Sequence, residues 1–510
     1  MRGRGDTEPA SRPGASPDAP GASRRDELAE GGTLPRLWAA RWGAAPGHPV
    51  LVPGVGPDAA LDGDALARQS AEAAAALAGR GAGPQQRIVW SCSSSLESIV
   101  GLMGALRLGA VVVPVNPAAS ASELAYVVRD VAPSLCLVDR PSLGAAVEAA
   151  DPDAPVVHPE ELRAAGAAPG DIDLDAASPD DDALIVYTSG TTGEPKGAVH
   201  THRSLLAGAQ ALRLAWDWQP DDRLILSLPL FHVHGLCAGL FGTLAAGSSA
   251  VVFDRFSASS VLAAVPQSTM FFGVPTMYHR LAASEGAGAL AALRLCVSGS
   301  APLPADLWTA LARRHGVAVL ERYGMSETLL TLSNPLVGER RPGSVGVPLP
   351  GVEATIADAD PDGIGELMVR GPSLCRGYWN RPTASEPASG GGWFATGDLA
   401  SVARDGYFTI RGRRTELIIT GGHNVYPAEV EAVLGRHPSV AEVAVAGLPS
   451  AEWGESVTAF VVGTDGSPDV AALEALAAQE LSAYKRPRQF RVLDALSRNA
   501  MGKVVRRDLR

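Results

Sequence analysis

The chain has 510 residues, too many for one ordinary domain and enough for two or three. Hydrophobic residues make up 46% and charged residues 19%, the composition of a folded, soluble protein with a large core. A net charge of −12 argues against nucleic acid or an anionic membrane surface as partner, since either would need an excess of Lys and Arg.

In chain order, residues 1–33 are rich in Pro, Gly, Ser, Ala and charge, and are expected to form a disordered tail. No apolar segment follows the basic start, so a secretory signal is not expected. From about 34 to 175, apolar runs such as "RIVWSC" and "AVVVPVN" alternate with Ala-rich stretches such as "ALARQSAEAAAALAG". This alternation predicts parallel α/β sheets.

Next comes "YTSGTTGEPKGAVHTH" at 187–202, a run of glycines, hydroxyls and one lysine that reads as a phosphate loop. It is not a P-loop, which places Lys directly after the last Gly and a hydroxyl directly after Lys. Here Glu194 and Pro195 separate Gly193 from Lys196, and Gly197 follows. Strand-like runs resume in "RLILSLPL", "SAVVFD", "TMFFGVPT" and "LRLCVSGSAPLP". Between about 343 and 411 the texture changes to short strands and turns, which predicts an antiparallel β region.

A compact module follows "RGRRTELIITGG", and a hinge is expected near 411–415. The expected division is a large domain over 34–412 and a small mobile α+β domain over 413–510. No run of about 18 apolar residues appears, so no membrane span is expected. The cysteines (Cys92, Cys136, Cys237, Cys296 and Cys375) are scattered and never spaced as CxxC. Reduced thiols in a cytoplasm fit that pattern better than disulfides or a zinc site. Of 43 basic residues only Lys196, Lys485 and Lys503 are lysines. A chain so poor in Lys keeps one where a compact ammonium is needed, which points to Lys196 and Lys503 for chemistry.

Four further motifs accompany the loop: "RYGMSET" at 322–328, "GWFATGDLA" at 392–400, "RGRRTELIITGGHNVYPAEVE" at 411–431, and "RNAMGKVVRRDL" near the end. In order and spacing the set resembles the adenylate-forming superfamily of acyl-CoA synthetases, nonribosomal adenylation domains and luciferases. The resemblance implies a carboxylate attacking the α-phosphate of ATP, then a thiol displacing AMP. Preorganised cations and N–H donors lower the barrier to the approach of two anions.

It also implies roles. Thr188, Ser189, Gly190, Thr191, Thr192, Gly193 and Lys196 would hold the ATP phosphates, and Thr188 and Glu327 the Mg²⁺. Gly299, Ser300, Ala301, Tyr323 and Gly324 would line the adenine side, with Thr328 on the α-phosphate. Asp398 and Arg413 would reach the ribose, and Lys503 would bridge carboxylate and α-phosphate. Taken alone, Ser-Glu-Thr would begin a helix. Gly421 and Gly422 would face the coenzyme A thiol after the small domain turns, and Thr415 stands where the family's hinge usually has Asp or Lys.

"PLFHVHGL", "FFGVPTMYHRL" and "RYGMSETLLTLSNPL" look most like the malonyl-CoA synthetases of that superfamily. By this similarity Arg280 would meet the distal carboxylate of malonate, a pairing that bidentate Arg suits, with His232, Ser298 and Met325 lining the acyl pocket. An aromatic or fatty acid, or a carrier-protein phosphopantetheine or nitrogen nucleophile as acceptor, stays open at this point.

Overall fold

The computed structural model describes residues 28–29, 32–56, 59–164, 172–188, 195–381, 392–450, 452–464, 466–498 and 504–509. Among these, the tail expectation changes at two points. Leu28 is 3% exposed and joins the main core, and the Thr33 side chain accepts from Arg36 N–H to cap the helix Leu34–Ala44.

The first half of the chain builds a seven-stranded sheet in the order Gly377–Tyr378, Lys196–Thr201, Asp182–Thr188, Val111–Pro114, Arg87–Ser91, Leu135–Val138 and Val156–Val157. Its strands from Asp182–Thr188 to Val156–Val157 run parallel, and the Lys196–Thr201 and Gly377–Tyr378 edge is antiparallel. A nine-stranded sheet has a parallel centre of Leu320–Met325, Leu295–Ser298, Met270–Gly273, Arg223–Leu226, Ser249–Val252 and Pro49–Pro53. Those central strands are short and, apart from Leu320–Met325 with Glu321 and Arg322, largely apolar, as a sheet covered on both faces requires. The helices Leu34–Ala44, Gly63–Ala78, Leu96–Arg107 and His202–Ala215 supply much of the shared core with both sheets.

The expected antiparallel region is a four-stranded sheet of Glu353–Ala357, Gly365–Arg370, Phe394–Val402 and Phe408–Arg413. A short 3₁₀ turn, Arg414–Glu416, leads from its last strand to Ile418–Thr420. That strand belongs to a separate five-stranded sheet, which packs against the helices Pro427–Leu434 and Val470–Glu480.

Within the nine-stranded sheet, Glu321 stands opposite Ser298 and is 3% exposed. Its carboxylate accepts from Leu303 N–H at 2.9 Å, which ties down the loop after Leu295–Ser298. Burial pushes this carboxyl from 4.5 up to about 7. The folded chain therefore holds the proton more tightly than the unfolded chain. The contribution of this group to stability is fully present below about 4.5 and is lost as pH rises to about 7, by roughly 3 kcal/mol. Glu321→Gln keeps an acceptor for Leu303 and removes the charge. It is expected to unfold at a higher temperature than the parent at pH 8 and to flatten the pH dependence of melting between 4.5 and 7.

Candidate active site

The hairpin Asp182–Thr188 and Lys196–Thr201 sets Thr188 opposite Lys196 and so defines the base of the glycine and hydroxyl loop. Ser189, Gly190, Thr191, Thr192 and Gly193 lie outside the described residues, as does Lys503. The Thr188 hydroxyl donates to the Lys196 carbonyl at 3.4 Å. The Lys196 ammonium sits 5.4 Å from the ring centroid of Tyr378, within cation–π range.

"RYGMSET" is not the start of a helix. Leu320–Met325 turns back antiparallel onto Leu329–Ser333, with Met325 opposite Leu329, so Ser326, Glu327 and Thr328 form the hairpin turn. Gly324 permits it, since a Cβ there would lie 2.1 Å from the Leu329 carbonyl oxygen. Donors from elsewhere satisfy the turn's own acceptors. His200 Nε2 reaches the Ser326 carbonyl at 2.7 Å, Cys375 N–H the Glu327 carbonyl at 2.7 Å, and the Ser373 hydroxyl the Thr328 carbonyl at 3.1 Å. Glu327 and Thr328 are both buried, and the Tyr378 hydroxyl donates to Glu327 Oε1 at 2.8 Å. These tertiary donors outweigh the local helix preference.

The same strand brings Tyr323 to the four-stranded sheet. Its hydroxyl donates to Asp398 Oδ2 at 2.5 Å, and Arg413 Nε meets Asp398 Oδ1 at 2.8 Å. Burial and the adjacent Asp398 carboxylate push the Tyr323 phenol well above its ordinary value. Three residues expected at the nucleoside thus form one contiguous cluster across two sheets. Met325 lies beside it, its sulfur 3.9 Å from the Tyr323 hydroxyl.

A second polar cluster gathers the expected His232, Ser298, Gly299 and Ser300 around Arg322, which the sequence did not single out. Arg322 is 4% exposed, and its Nε and Nη2 have no hydrogen-bond partner among the described residues. Desolvation drives its pKa down to about 9. A Cβ on Gly299 would sit 2.4 Å from the guanidinium carbon, so glycine leaves the space that the cation fills. His234 is also buried, and desolvation followed by the Arg322 charge holds it well below its ordinary value. Its Nδ1 pairs with the Ser300 hydroxyl at 3.3 Å, while Nε2 is unpartnered among the described residues. Ser300 is exposed, so solvent reaches the cluster there, and Ala301 beside it is half-buried. The φ of 70° at Ser300 is one that non-glycine residues adopt at a cost of about 1–2 kcal/mol. His232 Nε2 and Ser298 Oγ are likewise buried without partners among the described residues, and burial lowers His232 to about 4. Several unsatisfied donors converging around one cation make a site for an anion.

Arg280 is placed differently. It lies exposed in the last turn of the helix Pro275–Ala282. Tyr278 of the same segment is the buried one, donating to the Val297 carbonyl at 2.9 Å. The signal for Arg322 was available, since an arginine inside the strand-like run "VLERYGM" must be buried with its strand. Gly421 and Gly422, both at positive φ, lie exposed in the small sheet's first turn. Gly422 borders a cleft of about 990 Å³ between the Asp360–Ile364 turn and the small C-terminal module, spanned by a Tyr426–Asp360 hydrogen bond of 3.0 Å.

The profile of the AMP-binding enzymes matches residues 38–379, and that of the AMP-binding enzyme C-terminal domain matches 429–503. A malonate–CoA ligase from Arabidopsis thaliana is 38% identical over 462 residues, covering 82% of this chain and 76% of the relative. A sulfoacetate–CoA ligase from Cupriavidus necator is 36% identical over 495 residues, covering 93% and 96%. The crystal structure of ATP-bound MatB from Rhodopseudomonas palustris superposes with a TM-score of 0.88 at 35% identity, covering 94% of this chain and 98% of that one.

Gly324→Ala is expected to force the hairpin apart at Leu329, destabilising the protein by about 1–3 kcal/mol, the usual range for overpacking. Thermal unfolding measures the loss. A midpoint unchanged from the parent would show that the turn accommodates a side chain.

Proposed function

The chain belongs to the AMP-binding enzyme family and is an AMP-forming acid–CoA ligase, and on that footing we propose that it activates a small dicarboxylate, malonate or methylmalonate. The observation that carries the choice of acid is the buried guanidinium of Arg322, which has no carboxylate partner among the described residues. A fold tolerates such a charge where the substrate brings the counter-ion, and a dicarboxylate brings one that does not react. The named acids of two relatives, malonate and sulfoacetate, each carry a second anionic group of this kind.

In this reading the distal carboxylate meets Arg322, with neutral His234 and the Ser298 hydroxyl as further donors. The reacting carboxylate then lies toward the nucleoside cluster of Tyr323, Asp398 and Arg413. Its oxygen attacks the α-phosphorus, pyrophosphate leaves with the electron pair of the broken P–O bond, and the coenzyme A sulfur then displaces AMP. Lys196, Thr328 and Lys503 supply positive charge and donors to the phosphates in the first step.

Magnesium fits the residues present. The oxygens present are a carboxylate on Glu327 and a hydroxyl on Thr188, a small set of hard donors. Mg²⁺ binds in that way, by one or two oxygens with phosphates and water completing the shell. Glu327 and Thr188 are the oxygens this chain would offer, and the bound ion would neutralise charge building on the phosphates. We place the enzyme in the cytoplasm. The free thiols fit a reducing compartment, and no described helix is long and apolar enough to cross a membrane.

Pyrophosphate release over a panel of acids, with and without coenzyme A, tests the reading, and malonate is expected to give the highest kcat/KM. Arg322→Leu should lower kcat/KM for malonate about hundredfold, on the scale of breaking a buried ion pair, and that for propionate far less. Arg280→Ala should leave the malonate-to-propionate ratio unchanged. A ratio that moves with Arg280 and not with Arg322 would place the distal carboxylate at the helix instead. Lys503→Ala is expected to reduce ATP–pyrophosphate exchange by about 3–4 kcal/mol in the transition state, while thioester formation from supplied acyl-AMP continues. Near-normal exchange would remove Lys503 from the adenylation step.

A further inference from the structure

One bond of 3.3 Å, from Thr328 N–H to the Met325 carbonyl, closes the Ser-Glu-Thr turn between its two strands, yet no carbonyl of the three turn residues is left without a partner. The carbonyls of Ser326, Glu327 and Thr328 accept nothing from one another. The three are taken by His200 Nε2, Cys375 N–H and the Ser373 hydroxyl respectively, at 2.7, 2.7 and 3.1 Å. The Glu327 carboxylate is held separately, by the Tyr378 hydroxyl at 2.8 Å. His200 and Tyr378 come from the antiparallel edge of the seven-stranded sheet, where Tyr378 is paired with Ala198 two residues before His200, and Ser373 and Cys375 from the segment that leads into the Gly377–Tyr378 strand.

His200 is completely buried, next in its strand to the buried Gly197, Ala198 and Val199, a position where a histidine needs a reason. A carbonyl can only accept, so Nε2 must carry the proton. Burial keeps the ring neutral, with its pKa lowered to about 4, so Nδ1 is an acceptor, 3.2 Å from a Ser204 hydroxyl whose proton it shares with the Thr201 carbonyl at 3.0 Å. The ring is thereby fixed in one tautomer and one orientation. Tyr378 does a second thing as well: its ring lies 5.4 Å from the Lys196 ammonium. One side chain thus touches both the cation at the base of the phosphate loop and the carboxylate in the turn.

We propose that His200 and Tyr378 are positioning residues, which seat the Ser-Glu-Thr turn and aim the Glu327 carboxylate at the metal that accompanies the ATP phosphates. The inference rests on the proposed role of Glu327 toward Mg²⁺, but not on the identity of the acid. Both side chains act through the turn, and a carboxylate displaced by even a fraction of an ångström loses much of its value to a hard cation of strict octahedral geometry.

The test is calorimetric binding of ATP in excess Mg²⁺ and of ATP in EDTA, with no acid present, so that the outcome is independent of malonate ligation. Tyr378→Phe removes one hydroxyl and no packing volume. It is expected to weaken Mg²⁺–ATP binding about tenfold, the scale of one hydrogen bond to a charged group, and to change metal-free ATP by less than twofold. His200→Leu should show the same selective loss, and His200→Gln, which keeps an N–H donor, should recover most of it. An equal loss with and without metal would make the role of these residues purely structural and overturn the proposal. So would unchanged Mg²⁺–ATP binding in Tyr378→Phe, a variant that does not depend on the buried histidine site tolerating substitution. If the parent protein itself binds ATP equally with and without Mg²⁺, the proposal also falls, while the ligase reading stands or falls on pyrophosphate release from malonate.

Discussion

Arg322 sits in the middle of a strand, almost fully buried, with two of its guanidinium nitrogens unpartnered among the described residues. Taking such a charge out of water is expensive, several kcal/mol even after the surroundings relax, and hydrophobic packing does not return that free energy. Its neighbour Glu321 does not help, although the signs are opposite. Successive side chains of a strand point to opposite faces, so that carboxylate turns to Leu303 and is itself neutralised by burial up to about pH 7. Two adjacent charges in one strand thus fail to pair, and the arginine is left for a ligand. The surroundings of the site follow from that constraint: a glycine at 299 to make room, neutral histidines that add donors without adding repulsion, and an opening at Ser300.

The strand carrying this arginine also orders the rest of the chemistry. Arg322, Tyr323 and Glu327 fall within six consecutive residues, and the turn after Met325 folds the last of them back. Acid, nucleoside and metal would then be positioned relative to one another by a single piece of backbone, with two other sheets supplying partners. The four-stranded sheet brings Asp398 and Arg413, and the edge of the seven-stranded sheet brings His200 and Tyr378. Rigid elements hold catalytic groups to tighter tolerances than loops do, and here even the turn is braced at each of its carbonyls.

Much of this was legible in the sequence because the loops carry spaced glycines, hydroxyls and charges whose meaning does not depend on packing. The alternation of apolar runs and Ala-rich helices gave the two sheet systems, and the turn-rich stretch after 343 gave the antiparallel one. What was hidden depended on register. Nothing in "VPTMYHR" says that Tyr278 points inward and Arg280 outward, since the helix phase is set by the sheet beneath it. Nothing in "SET" shows that donors 45 to 126 residues away will hold it as a turn rather than a helix. His200 was passed over for the same reason: in sequence it is one polar residue in "GAVHTH", and only the folded chain shows the carbonyl it faces.

The central claim is that a substrate anion completes the buried Arg322 site. The most direct measurement is calorimetric binding of two unreactive acyl-sulfamoyl adenosines to the unmodified protein, one malonyl and one butyryl, which differ chiefly in the charge of the distal group. The malonyl compound is expected to bind about a hundredfold tighter at neutral pH and low salt, in keeping with a close, desolvated charge pair. Equal affinities, or tighter binding of the butyryl compound, would mean that the guanidinium does not receive the acid, and the dicarboxylate reading would be contradicted.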